Sequence, residues 1–260
     1  MLISNDIRVS LGKVPVLHGI SAAARAGEVT VIVGPNGSGK TTLLRALTGD
    51  VAFQGRVCLN GQDCARLRPW ELAALRGVLP QASALAFPFT VAEVVRLGLT
   101  VATHANRAEL VVRALGAVDM EGFARRLYQE LSGGQQARVQ LARVLVQVWE
   151  PVVAGVPRWL FLDEPVASLD IAHQLAVVRL MRDFARRGGG VVTVLHDLNL
   201  TAMAADRVWL MDQGRLTGQG AMADVLTDAA LELAYGCPLR VGRLPALGGW
   251  FALPQAAGVA

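Results

Sequence analysis

The feature that most constrains this chain of 260 residues is the join between "VTVIV" (Val29 to Val33) and "GPNGSGKTT" (Gly34 to Thr42). A short β-branched run with no polar face suits a strand buried on both sides of a sheet. The three glycines and the run "TLLRALTG" that follow turn the chain sharply from that strand into a helix. The spacing G-x-x-x-x-G-K-T fits Gly34, Gly39, Lys40 and Thr41. Such a loop turns backbone N–H groups and a helix N-terminus toward phosphate oxygens. In it Lys40 is placed for the β and γ phosphates and the Thr41 hydroxyl for Mg²⁺, so the ligand expected is a nucleoside triphosphate.

Lysine usage sharpens that reading. Of 25 basic residues only Lys13 and Lys40 are lysines. A compact ammonium fits among crowded phosphates where a planar guanidinium does not. Other apolar runs, "WLFLD" (Trp159 to Asp163) and "VVTVL" (Val191 to Leu195), extend the parallel-strand pattern and point to an α/β core. Asp163 and Glu164 stand at the carboxyl end of the first of these strands, where open α/β sheets bind ligands. Asp163 suits a Mg²⁺ shell, and Glu164 suits a base that polarises water.

The segment from Ala84 to Pro151 reads as helical, an inserted lobe within a core of about 1–83 and 152–236, with a tail over 237–260. Thr90 and Glu93 form a capping box for "VAEVVRLG", and Asn106 with Glu109 marks a weaker start for "AELVVRALG". "RVWLMDQGRLTGQG" reads as two strands about a turn at Gln213 and Gly214, and "DAALELAYG" as a helix stopped at Gly236. "VWEPVVAGVP" reads as a surface loop. In "LSGGQ", Ser132 and Gln135 have capping-box spacing, and the glycines leave first-turn N–H groups open to an anion. One nucleotide does not need two such helix starts in one chain.

Composition excludes little. A mean hydropathy of +0.40 is high, yet no run reaches the roughly 18 apolar residues of a membrane span. The start "MLISNDIRVS" lacks a basic stretch followed by an apolar one, so a soluble, cytosolic chain is expected. Cys58, Cys64 and Cys237 match no metal spacing and read as reduced packing residues. A net charge of +4 is spread without blocks, which gives no reason to expect a nucleic-acid partner. His18, His104 and His173 read as ordinary surface or packing histidines.

Taken in order, "GPNGSGKTT", "LSGGQ", "WLFLDEP", "ASLD" and "LHD" resemble the ATP-binding subunits of ABC transporters, from about Ile3 to Gly236. The resemblance implies a P-loop ATPase fold of that type, with a mainly parallel sheet, an antiparallel β portion and an inserted helical subdomain. It implies ATP and Mg²⁺ as ligands and a head-to-tail homodimer. Gly34, Pro35, Asn36, Gly37, Ser38, Gly39, Lys40, Thr41 and Thr42 of one copy would then hold ATP against Ser132, Gly133, Gly134 and Gln135 of the other. By the same resemblance Gln81 in "VLPQ" senses Mg²⁺ and the attacking water beside the contact with a permease. Glu164 activates that water, His196 contacts the γ-phosphate, Asp163 attends the metal, and Asp170 lies on the loop that crosses to the partner. One departure stands out: Leu11 occupies the place where the family commonly stacks adenine on an aromatic ring, which implies poor base discrimination. Within the family, "LAFPFTVAEVVRLG" and "YQELSGGQQARVQLARVLVQVWEP" look like the importers of haem, relatives of the ferric-siderophore and vitamin B12 importers. A permease and, indirectly, a periplasmic haem-binding protein are the implied partners. A soluble ABC-type ATPase would carry fused units or a coiled-coil insertion, and an unrelated P-loop kinase would need neither "LSGGQ" nor "ASLD".

Overall fold

A computed structural model describes residues 1–81, 87–99, 109–243 and 254. The expected Asn106 start lies outside the described residues, as does most of the tail. In chain order the elements begin with β1 (Leu2–Leu11), β2 (Val14–Ala24), β3 (Val29–Val33), α1 (Lys40–Thr48), β4 (Gln54–Leu59), β5 (Gln62–Asp63), α2 (Pro69–Leu75) and β6 (Arg76–Leu79). Three helices follow, α3 (Val91–Leu99), α4 (Glu109–Ala117) and α5 (Gly133–Gln147), then β7 (Val152–Val153) and β8 (Val156–Pro157). The remainder is β9 (Trp159–Asp163), α6 (Ile171–Arg186), β10 (Gly190–Val194), α7 (Leu198–Ala204), β11 (Arg207–Asp212), β12 (Arg215–Gly220), α8 (Met222–Val225) and α9 (Asp228–Tyr235).

The central sheet runs β12-β11-β3-β10-β9-β6, with β11, β3, β10, β9 and β6 parallel and β12 antiparallel at one edge. Strands β3, β10 and β9 are buried throughout because both faces are covered. Val29, Val31, Val33, Leu160 and Leu162 face the core shared with α3 to α7, while Ile32, Trp159, Phe161, Val192 and Val194 face α1 and the antiparallel sheet. That second sheet has the order β2-β1-β4-β5. Trp159, fully buried, donates its indole N–H to Asn60 Oδ1 at 3.0 Å, a link between the layers.

Local chemistry explains the helix ends. Thr90 and Glu93 do form the expected box: Thr90 N–H donates to Glu93 Oε2 at 2.8 Å and Glu93 N–H to Thr90 Oγ1 at 3.3 Å. The last helix stops at Gly236 with φ of 68°, and β11 and β12 turn at Gln213 and Gly214 with φ of 44° and 71°. The expected surface loop "VWEPVVAGVP" is instead a small hairpin, β7 paired with β8. Its central residues Ala154 and Gly155 both have positive φ, 49° and 75°; an alanine ahead of the glycine hides the usual two-residue turn signature.

Candidate functional site

The parallel sheet order gathers the candidate residues. Strands β3, β10, β9 and β6 are consecutive neighbours, and from their carboxyl ends come Gly34, His196, Asp163 with Glu164, and Gln81 respectively. Four segments remote in sequence therefore meet along one edge, the position at which such sheets bind ligands.

The glycine loop is closed on itself and braced from behind. Lys40 is buried, and its Nζ donates to Gly34 O and Pro35 O, each at 2.9 Å. Burial pushes its ammonium below the usual lysine range, with Glu164 and Asp163 pulling partly back. Ser38 N–H bonds Pro35 O, and Gly214 N–H donates to Ser38 O while Gly214 O accepts from His18 N–H, at 3.2, 3.0 and 3.0 Å. A Cβ at Gly34 would stand 2.1 Å from Met211 O, so the loop is clamped between β2 and the β11–β12 turn. Asn36 and Gly37 are exposed at its tip, and Thr42 continues the first turn of α1. Sequence reading missed this brace: Gly214 signals a turn but not what the turn supports.

Thr41 Oγ1 donates to Asp163 Oδ1 at 3.1 Å. Asp163 is buried, and desolvation raises its carboxyl against the lowering pull of Thr41, His196 and Lys40. A hydroxyl and a carboxylate side by side are hard oxygen donors of the kind Mg²⁺ takes, and the buried Ser38 Oγ has no partner of its own. Among the described residues no group of three or more His, Cys, Asp or Glu side chains could hold a metal. Thr41 and Asp163 offer a cation two protein oxygens, a set that suits Mg²⁺ completed by phosphate or water oxygens.

Glu164 is the meeting point. Its Oε1 accepts from Gln81 Nε2 at 3.2 Å and lies 2.5 Å from His196 Nε2. Its backbone sits at φ of 52°, a region uncommon for a residue with a side chain. Gln81, Asp163 and Glu164 share a cavity of about 200 Å³ with Tyr128, Gly133 and Gln140.

The "SGGQ" turn is finished differently. Ser132 Oγ accepts from Gln135 N–H at 3.3 Å and Gln135 Oε1 accepts from Ser132 N–H at 3.0 Å, a complete capping box at the start of α5. A Cβ on Gly134 would meet Ser168 O at 2.8 Å, whereas one on Gly133 would meet nothing within 4 Å. No hydrogen bond or ion pair among the described residues joins 132–135 to 34–42. Asp170 caps α6, accepting from His173 N–H at 2.9 Å. Leu11, half exposed beside the Gly12 turn, leaves the first hairpin without a ring at that place.

Comparison with known proteins decides the family. A model described as ABC transporter matches residues 17–167. The chain belongs to the ABC transporter ATP-binding family. It is similar to the hemin import ATP-binding protein HmuV of Roseobacter denitrificans, 58% identical over 97% of each chain. It is also similar to the protein of the same name from Mesorhizobium japonicum, 56% identical over 98% of each. In fold it resembles an ATP-binding subunit of an ABC transporter, with a TM-score of 0.75 at 21% identity over 92% of this chain and 94% of that one. A nucleotide-free ATP-binding cassette gives a TM-score of 0.72 at 23% identity over 92% and 96%. Like others of its family it is an ATPase, and no helix among the described residues is long and apolar enough to cross a membrane.

Proposed function

We propose that this chain is the ATP-hydrolysing subunit of an importer that carries haem across the inner membrane, working as a head-to-tail pair on the cytoplasmic face of a permease. The cargo rests on likeness to the hemin import proteins. The chemistry rests on one observation above others, the convergence of Gln81 and His196 on a single oxygen of Glu164.

Lys40, now bonded to its own loop carbonyls, would exchange them for the β and γ phosphate oxygens of ATP, with Ser38 Oγ and the loop N–H groups as further donors. Thr41 and Asp163 would hold Mg²⁺, with Gln81 at its edge; the ion supplies charge neutralisation at the phosphate oxygens. Glu164 would take the proton of the attacking water. His196, 2.5 Å from that carboxylate, would orient it and contact the γ-phosphate. Ser132, Gly133, Gly134, Gln135 and Asp170 would serve the nucleotide held by the other copy; the open space at Gly133 supports this. ATP then acts as the contact that joins two copies, and hydrolysis weakens it. Beside Gln81 lies a cavity of about 560 Å³ lined by Thr41 and Asp163 as well as Arg45 and Arg143, so a permease segment seated there would adjoin the nucleotide site.

Reconstitution tests the reading. With its permease and a periplasmic haem-binding protein, ATP turnover should rise when that receptor carries haem and stay flat with ferric siderophore or cobalamin receptors. An equal response to all three would remove haem as the cargo. Glu164→Gln with Mg-ATP should elute as a dimer on gel filtration with turnover reduced about 100-fold or more; monomer alone would end the paired mechanism.

A further inference from the structure

We propose that His173 is a positioning residue for ATP turnover: its ring ties Asp119, on the α3–α5 group, to the Asp170 turn, so that reorientation of those helices is passed to the face expected to meet the partner copy. The inference rests on the paired reading only in what it says of that face.

The geometry is specific. Asp170 Oδ1 accepts from His173 N–H and lies 2.7 Å from the same residue's Nδ1. A carboxylate only accepts, so Nδ1 carries the proton and the ring is fixed in orientation. Those two bonds, backbone first, hold the Asp170 carboxyl below the usual aspartate range. The other ring nitrogen, Nε2, faces Asp119 Oδ2 at 3.8 Å. Asp119 follows α4 in a left-handed conformation, φ 55°, and is anchored to α5: Arg138 Nη1 donates to Val118 O at 3.1 Å and to Asp119 O at 3.0 Å, and lies 3.7 Å from Asp119 Oδ2.

A chain of contacts thus runs from α5 through Arg138, Asp119 and His173 to Asp170. The start of α5 also touches the same turn directly, through Gly134 against Ser168 O. The far end of α5 is held separately on α2 and β6, where Gln147 Nε2 donates to Ala73 O and Arg76 O at 2.9 Å each. His173 adds a tie at the end of the helix group that lies nearer the Asp170 turn. At 3.8 Å the link to Asp119 is charge attraction and not a hydrogen bond, so it acts when the ring is an imidazolium. The charged groups that face the ring are Asp119, Asp170 and, behind Asp119, Arg138. For a pair this exposed the effect is a few-fold change in an equilibrium, not an on-off switch.

Steady-state ATP turnover of the full chain tests this with Asp119→Asn, His173→Asn and the double variant, at pH 6 and pH 8.5, on either side of the ordinary imidazole range. Asn at position 173 keeps a donor for Asp170 where Nδ1 stands but does not reach Asp119. Asp119→Asn should lower kcat about threefold at pH 6 with KM unchanged, and leave it unchanged at pH 8.5. In the His173→Asn background it should do nothing at either pH. The readout is the ratio of variant to parent at each pH, in which any pH dependence common to all variants cancels. Multiplying effects in the double variant, or one ratio at both pH values, would overturn the proposal. In ring ¹⁵N spectra Asp119→Asn should perturb His173 Nε2, and an unmoved resonance would overturn the contact itself. These outcomes are independent of the Glu164→Gln elution test, so a failed pairing and a failed clasp are read separately.

Discussion

The chain starts two helices with glycine-rich turns, and it finishes them in opposite ways. At Gly34–Thr42 polar groups turn inward: the Lys40 ammonium is bonded to Gly34 and Pro35, Ser38 O to the Gly214 turn, and Thr41 to Asp163. At Ser132–Gln135 the capping box satisfies its own two N–H groups and Gly133 looks onto empty space. The first turn gathers its polar groups within one chain. The second has no acceptor of its own to serve. A helix N-terminus with open first-turn N–H groups favours an anion, and under the proposed pairing the anion for the second would come from the other copy.

Removing Lys40 strikes hardest at the first region. Lys40→Ala should reduce ATP hydrolysis at least about 100-fold, because no other ammonium in the loop can replace it at the phosphates. Near-normal hydrolysis by a folded variant would break the comparison at its stronger end. The glycines of the second region sharpen it. Gly134→Ala places a Cβ 2.8 Å from the backbone oxygen of Ser168 and should destabilise the chain by about 1–3 kcal/mol, read by thermal unfolding without nucleotide. Gly133→Ala meets nothing inside the chain, and in a helix it should hold stability level or raise it by up to about 1 kcal/mol. Its cost should appear instead in turnover, about tenfold at saturating Mg-ATP. If Gly133→Ala turns over normally, that turn does not receive a ligand from outside.

The same contrast explains what could be read before the structure was known. Strands buried on both faces announce themselves as apolar runs: Trp159–Asp163 lies as read, and "VVTVL" is displaced by one residue to Gly190–Val194. The four-residue β6 and the β7–β8 hairpin carry too few residues for any period to show. In the candidate site, each residue with a strand or cap as its neighbour could be placed by order along the chain. What escaped depends on approach through space. Gly214 behind the loop, Tyr128 with Gln140 in the cavity that Glu164 also lines, and Asp119 beside His173 are separated in sequence from these neighbours by loops whose paths no local pattern encodes. His173 did have a local signal, since it stands three residues after the helix-capping Asp170 and shares its carboxylate. A lone histidine at the start of a helix nonetheless reads as a surface residue until Asp119 is seen across from it.

The smallest effect concerns how far the first region reads the nucleotide beyond its phosphates. Leu11 is half exposed at the end of β1, followed by the Gly12 turn and the exposed Val14. An aliphatic side chain packs against any purine by contact alone, without the roughly 1–3 kcal/mol that aromatic stacking supplies to a base in other sites. Phosphate contacts through Lys40 and the loop are the same for every triphosphate. ATP and GTP should therefore be hydrolysed with kcat/KM values within about fivefold of one another, and Leu11→Tyr should lower KM for both by a similar few-fold factor. A strong ATP preference in the parent chain would mean that a donor or acceptor elsewhere reads the base edge. The closed region would then recognise the whole nucleotide, and the outward-facing turn would be left with the γ-phosphate of a molecule already fully specified.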